Sequence, residues 1–306
     1  MAADVDASYL LTYRVSGPYD GQYHGLELRA TRPEVEVRTR TGYWAPLGDP
    51  SARADTGPAP ALPFMSWRSR PTHRSPFAET WVGLSRGAEG RMRVVVTWEP
   101  DWGPVWSRGG ARATLGRFKA TRPDGTIVFE GRLAPAFGGE GDAPPAAIFE
   151  AAPGPLELDL TLVDENGRVL DVDSRDVEVP DPDEARARLM DPELLRARTA
   201  VEFRALAADP DAAPTPSRDF RRTERLIVRA PAYGADGAPL PVRARLLNPL
   251  GQPMLELEPM PATVRDGIMQ FELSLAPYAP GTYEIELTAT GAAGEVRTRV
   301  RFQLRG

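Results

Sequence analysis

Prolines and glycines interrupt this sequence so often that few helices of ordinary length fit between them. The 32 prolines and 28 glycines of the 306 residues gather in clusters between short apolar runs. Proline fixes φ and removes a backbone donor, and glycine opens left-handed turns. Such punctuation therefore favours many strands joined by tight turns over long helices. The expected fold is mainly β: two immunoglobulin-like β-sandwich domains, an N-terminal remnant β-sheet and one linking helix. The length suits two or three domains with their own cores.

Five segments follow from the pattern. Residues 1–45 carry three strand-like stretches at 8–15, 23–30 and 34–40, with a turn at Tyr19-Asp20-Gly21 and a break at Arg32-Pro33. Residues 46–76 read as a Pro-rich linker, in which Leu62, Phe64, Met65 and Trp67 can tack the chain onto a neighbouring domain. Residues 77–181 read as a first β-sandwich, with strands near 79–85, 91–99, 111–121, 126–133, 147–151, 156–163 and 168–179. Pro123-Asp124-Gly125 and Asn166-Gly167 are hairpin signals within it. Seven strands at this spacing suggest immunoglobulin-like topology.

Residues 182–222 read as a helical linker. Asp191-Pro192 suits an N-cap and first turn, Leu195, Thr199, Phe203 and Leu206 offer a seam, and Ala208-Asp209-Pro210 ends the helix. Residues 223–306 read as a second immunoglobulin-like sandwich. There Pro280-Gly281-Thr282-Tyr283 precedes a strand in the manner of a tyrosine corner. A hairpin through Gly291-Ala292-Ala293-Gly294 predicts that Glu286 faces Arg299 and Glu284 faces Arg301, with Ile285 against Val300 on the other face.

Composition limits the chemistry. The net charge of −6 argues against nucleic acid as the main partner, because phosphate binding needs a basic footprint. Lys119 is the only lysine among 37 basic residues, a bias shared with the excess of alanine and proline and read as a compositional habit of the source. With no cysteine there is no disulfide, thiolate metal site or thiol nucleophile. No window is apolar enough for a membrane span. Gly83-Leu84-Ser85-Arg86-Gly87 matches G-x-S-x-G, but the run after it is strand-like. The only two histidines, His24 and His73, both precede the serine, so a plain turn is the better reading. The acids Asp164, Glu165, Asp171, Asp173 and Asp176 lack calcium-loop spacing and read as a solvated hairpin face. No catalytic residue, metal site or cofactor is expected.

One aromatic constellation stands out. Trp98, Trp102 and Trp106 share a proline- and glycine-rich stretch, with Trp81 nearby in sequence. Loop tryptophans stack on sugars or anchor protein partners, and equally they cap the end of a sandwich.

The run Ser8-Tyr9-Leu10-Leu11-Thr12-Tyr13, then Asp20-Gly21-Gln22-Tyr23-His24, Arg32-Pro33, Val35-Glu36-Val37-Arg38 and Gly42-Tyr43 resembles the C-terminal edge of a von Willebrand factor type A-related domain. Arg218-Asp219-Phe220, Thr223 to Arg229, Arg245 to Asn248 and Gly251 to Met254 are similar to the C-terminal sandwich of the same bacterial family. The resemblance implies an exported, extracytoplasmic parent protein of which this chain is the remainder. The family's metal loop, Asp-x-Ser-x-Ser, has no counterpart: Asp6-Ala7-Ser8 is followed by Tyr9-Leu10. No metal ligand therefore carries over. The function expected is a non-enzymatic binding or structural module with protein partners; the alternative is a carbohydrate-binding module using the Trp98–Trp106 loop.

Overall fold

The computed structural model describes residues 23–25, 42–44, 70–101, 112–137, 142–184, 187–261, 265, 267–292 and 294–306. The chain divides into two units, Met1–Pro63 and Phe64–Gly306. In the first, β1 (Tyr23–Gly25) pairs antiparallel with β2 (Gly42–Trp44), Tyr23 opposite Trp44. The strands expected at 8–15 and 34–40, and the apolar contacts of Leu62 to Trp67, lie outside the described residues.

The second unit is mainly β. Its first sandwich begins earlier than expected. β3 (Arg70–His73), inside the segment read as a linker, pairs antiparallel with β10 (Val169–Val179). Pro71 is tolerated because β3 is an edge strand with one neighbour among the described residues, so the missing N–H interrupts no described ladder on its other side. Between them run β4 (Ala78–Arg86), β5 (Met92–Pro100), β6 (Leu115–Thr121), β7 (Ile127–Leu133), β8 (Ala146–Ala151) and β9 (Gly154–Val163). They form two sheets, β3-β10-β9-β6-β7 and β4-β5-β8. Val82, Val94 and Trp98 of the smaller sheet meet Phe118, Leu158 and Leu160 of the larger in one core. The acidic hairpin closes β9 onto β10. Asp164 Oδ1 accepts from the N–H groups of Asn166 and Arg168, both at 2.9 Å, and Gly167 takes a φ of 78° that a side chain would resist.

The second sandwich repeats the plan. β11 (Arg188–Leu189), β12 (Glu193–Ala197), α1 (Ala200–Ala208), β13 (Asp219–Arg221), β14 (Arg225–Ala230), β15 (Ala232–Tyr233), β16 (Val242–Leu247), β17 (Pro253–Leu257), β18 (Met269–Ser274), β19 (Gly281–Gly291) and β20 (Gly294–Arg305) follow in order. Sheet β12-β14-β18 faces sheet β13-β20-β19-β16-β17. In each sandwich the first, second and fifth principal strands make the small sheet, and the fourth, third, sixth and seventh make the large one. A short extra strand extends each large sheet, antiparallel in the first sandwich and parallel in the second. Both are immunoglobulin-like β-sandwiches.

The expected register of the last hairpin is the observed one: Glu286 opposite Arg299, Glu284 opposite Arg301, Ile285 opposite Val300 and Tyr283 opposite Phe302. Tyr283 opens β19, and its hydroxyl donates to the Ala279 carbonyl at 2.9 Å, which makes a tyrosine corner. Removing a hydroxyl that satisfies a backbone carbonyl costs about 1 kcal/mol. Tyr283→Phe is therefore expected to lower stability by that amount in denaturant titration while leaving the m-value unchanged.

The helix differs from expectation. Asp191-Pro192 does not start it; Glu193 to Ala197 is strand β12 instead. Leu194 faces the sandwich core, while Leu195 and Ala197 face the other way, into a cluster with Phe203 and Ile227. A strand buried on both faces loses its alternation and imitates a helical seam. The N-cap is Thr199, whose side-chain oxygen accepts from Glu202 N–H at 3.1 Å. The Thr199-x-x-Glu202 spacing was the signal for that start. The end falls at Ala208, before Asp209-Pro210, as expected.

Candidate functional site

Two of the four candidate tryptophans are core residues. Trp98 is fully buried, and its Nε1 donates to the Leu133 carbonyl at 3.3 Å. Trp81 is buried against Val95, Ala146 and Ala213. Neither offers a ring face to a sugar, which corrects the expectation for both. Trp102 and Trp106 lie outside the described residues.

Trp81 also explains the serine motif. Its indole lies over Gly83, where any Cβ would collide with the ring, and Gly87 gives the same room to the Glu150 carboxylate. Ser85 is buried within β4, and a tight turn closed by Gly87 N–H to the Arg91 carbonyl at 2.9 Å leads directly into β5. The elbow needs a helix at that point. The glycines serve packing, and the turn expected across the motif begins only at Gly87, because Gly83 to Arg86 belong to β4. His73 contacts Asp171, Nε2 to Oδ1 at 3.2 Å, and Asp173 is buried with Arg175 at 2.7 Å. Among the described residues no group of three or more His, Cys, Asp or Glu is arranged to hold a metal. No helix there is long and apolar enough to cross a membrane.

The polar groups that do converge lie between the sandwiches. On the outer side of β4-β5-β8, Ser85, Arg93 and Glu150 form a row across three strands. On β12-β14-β18, Glu193, Arg229 and Gln270 form a second row. Arg265 reaches from a loop of the second sandwich to both. Its Nη2 donates to the two Glu193 oxygens at 2.9 and 3.0 Å, and its Nη1 lies 3.5 Å from Ser85 Oγ. Arg265 takes a φ of 31°, a strained value for a residue with a side chain. Arg93 pairs with Asp211 at 2.6 Å. Burial, helped by the Arg265 charge, holds Arg93 below the usual arginine range. Burial does the same to Arg229 against the pull of Glu193. A cleft of about 290 Å³ opens here over Ser85, Arg86, Arg93, Glu150 and Arg265.

The same junction is closed by apolar and polar contacts elsewhere. The segment after α1 lies on β4-β5-β8, with Ala213 against Trp81 and Val95. Thr215 Oγ1 donates to the buried Glu99 carboxylate at 2.6 Å, and Arg196 stands 3.5 Å from the same group. Met190 and Tyr233, which precede and follow β12 and β14, enter the core of the first sandwich, and Tyr233 Oη accepts from Arg86 N–H at 3.1 Å. Sequence alone could not reveal this seam, because its partners are up to 180 residues apart.

The outer faces of the two large sheets also carry exposed polar groups among the described residues. In the second sandwich, Glu286 is buried between Arg245 of β16 and Arg299 of β20. Burial raises its carboxyl, but the hydrogen bonds and charges of both arginines together outweigh it and hold the group below the usual glutamate range. A depressed folded pKa gives stability that is present above the unfolded value of about 4.3 and lost as pH falls through the folded one. Glu286→Gln is therefore expected to flatten the decline of stability below about pH 4.3 in acid titration followed by circular dichroism. An unchanged acid limb would refute that contribution.

No family model and no curated protein matches the chain. Among solved structures it is similar to the Clostridium thermocellum CbhA fibronectin(III)-like modules, with 14% sequence identity, 74% of this chain and 92% of that chain covered, and a TM-score of 0.22. At that score the likeness adds nothing to the class defined by the strand order itself, a tandem immunoglobulin-like β-sandwich.

Proposed function

We propose that this chain is a non-enzymatic interaction or structural module of an exported bacterial protein, with protein as its partner. The junction carries the reading. Two sandwiches of one topology are joined by a buried seam rather than a free tether, so their large sheets are held as fixed, polar, outward faces. A fixed pair of faces suits recognition of a partner, since little conformational entropy is lost on docking. The N-terminal run resembling a von Willebrand factor type A-related domain supports an extracytoplasmic parent. The sugar-stacking alternative keeps only Trp102 and Trp106 of its four residues.

The test uses the whole chain. Cross-linking to an extract of the source cell envelope, followed by mass spectrometry, is expected to yield a stoichiometric protein partner. A parallel screen with glycan, ester and peptide substrates is expected to give no turnover. Turnover abolished by a single substitution in the junction cleft would overturn the proposal.

A further inference from the structure

The two large sheets solve the same electrostatic problem differently. On the second sandwich the outward arginines of the central strands are matched: Arg245 and Arg299 flank Glu286, Arg301 contacts Glu284, and Arg243 and Arg297 contact Glu295. On the first sandwich Arg117 of β6 stands directly opposite Arg132 of β7. Neither makes a hydrogen bond or ion pair among the described residues. The rest of their row is neutral, with Thr161 on β9 and Val172 on β10. One row away, Lys119 lies between Glu130 and Asp159, which balance it. Like charges directly opposite across a sheet are destabilising, and here no acid stands in their own row; the nearest on that face are Glu130 and Asp159, one row away beside Lys119.

We propose that this face binds the carboxylates of an extended acidic polypeptide. The inference rests on reading the chain as a protein-interaction module. An open groove of about 660 Å³ runs over Arg117, Lys119, Arg132, Thr161 and Val172, with the acids Glu130 and Asp159 on its Lys119 side. Two exposed guanidiniums side by side present parallel N–H donors that fit a carboxylate bidentately, and a carboxylate between them relieves their repulsion. The Arg117–Arg132 row is locally positive on a chain that is −6 overall, so an acidic segment is attracted to it. Among the described residues β7 pairs with β6 alone, so its other edge presents backbone groups that can hydrogen-bond an added strand. A peptide supplies both the carboxylates and the strand; a sulfated glycan or free phosphate supplies only the anion. Three cations beside two acids fall short of a nucleic-acid footprint.

The experiment is fluorescence anisotropy of a labelled oligoglutamate peptide titrated with the whole chain at low salt. Binding is expected to weaken at least about tenfold in the double variant Arg117→Glu/Arg132→Glu. It should change less than about twofold in Arg243→Glu and Arg301→Glu on the other sandwich. Arg132→Glu alone is expected to raise the melting temperature, because it turns a repulsive cross-strand pair into an attractive one. That separates lost binding from lost folding. Equal losses from both sandwiches would overturn the site. Tighter binding of a sulfated oligosaccharide than of the peptide, lost in the double variant, would overturn the polypeptide partner. No peptide binding at all, with the envelope cross-link intact, rejects this surface and leaves the module reading standing. Enzymatic turnover rejects the module reading whatever the peptide does.

Discussion

Arg229→Ala is expected to cost about 3–5 kcal/mol, among the largest single losses this fold can suffer. The side chain has 0% exposure. Its Nε donates to Gln270 Oε1 at 3.0 Å, and its Nη2 donates to the carbonyls of Leu206 and Asp209 at 2.8 and 2.6 Å. Nη1 stands 3.8 Å from a Glu193 oxygen. Truncation leaves buried carbonyls without donors and Glu193 with Arg265 as its one close cation, and the penalty for such orphans exceeds the net worth of the bonds themselves. It also frees the end of α1, whose last carbonyls Arg229 holds against β14. Lysine keeps the charge but not the planar fork, so Arg229→Lys should recover only part of the loss. Urea denaturation at neutral pH measures both. A loss under about 1 kcal/mol for the alanine variant would mean that water replaces the guanidinium and that the seam is not dry.

Trp81→Ala is expected to lose about 3–5 kcal/mol and also to change the form of unfolding. The indole spans the outer side of β4-β5-β8 and meets Ala213 from the segment after α1. Its removal opens a cavity at the contact between sandwiches rather than within either core. Because Met190 and Tyr233 extend the first core into the second sandwich, the wild-type chain from β3 onward should melt in one calorimetric transition. The variant should melt in two, with the two sandwiches uncoupled. A wild type that already melts in two steps would show that the seam is weaker than its contacts suggest.

Local chemistry left clear marks in the sequence. Hairpins at Pro123-Asp124-Gly125 and Asn166-Gly167, the tyrosine corner at Tyr283 and the pairing of Glu286 with Arg299 all follow from turn residues and period-two alternation. These depend on residues close in sequence, so they can be read without a fold. The misread helix start at Asp191-Pro192 has the opposite cause. Leu194 and Leu195 are buried on opposite sides of one strand, against the sandwich core and against Phe203 of α1. Alternation disappears wherever a second face is covered.

The candidate site was the least legible part. Tryptophan in a proline-rich stretch reads as a platform or as a plug, and only burial separates the two; for Trp81 and Trp98 the structure chose the plug. The opposition of Arg117 and Arg132 could not be seen, because it depends on the register of β6 against β7. What the sequence determined by itself was the mainly β plan and the pairing of strands joined by short turns, since backbone sterics and alternation act locally. What only the tertiary structure decided was which of a strand's two faces meets solvent. That depends on surfaces brought from far along the chain, as Arg265 is brought to Ser85.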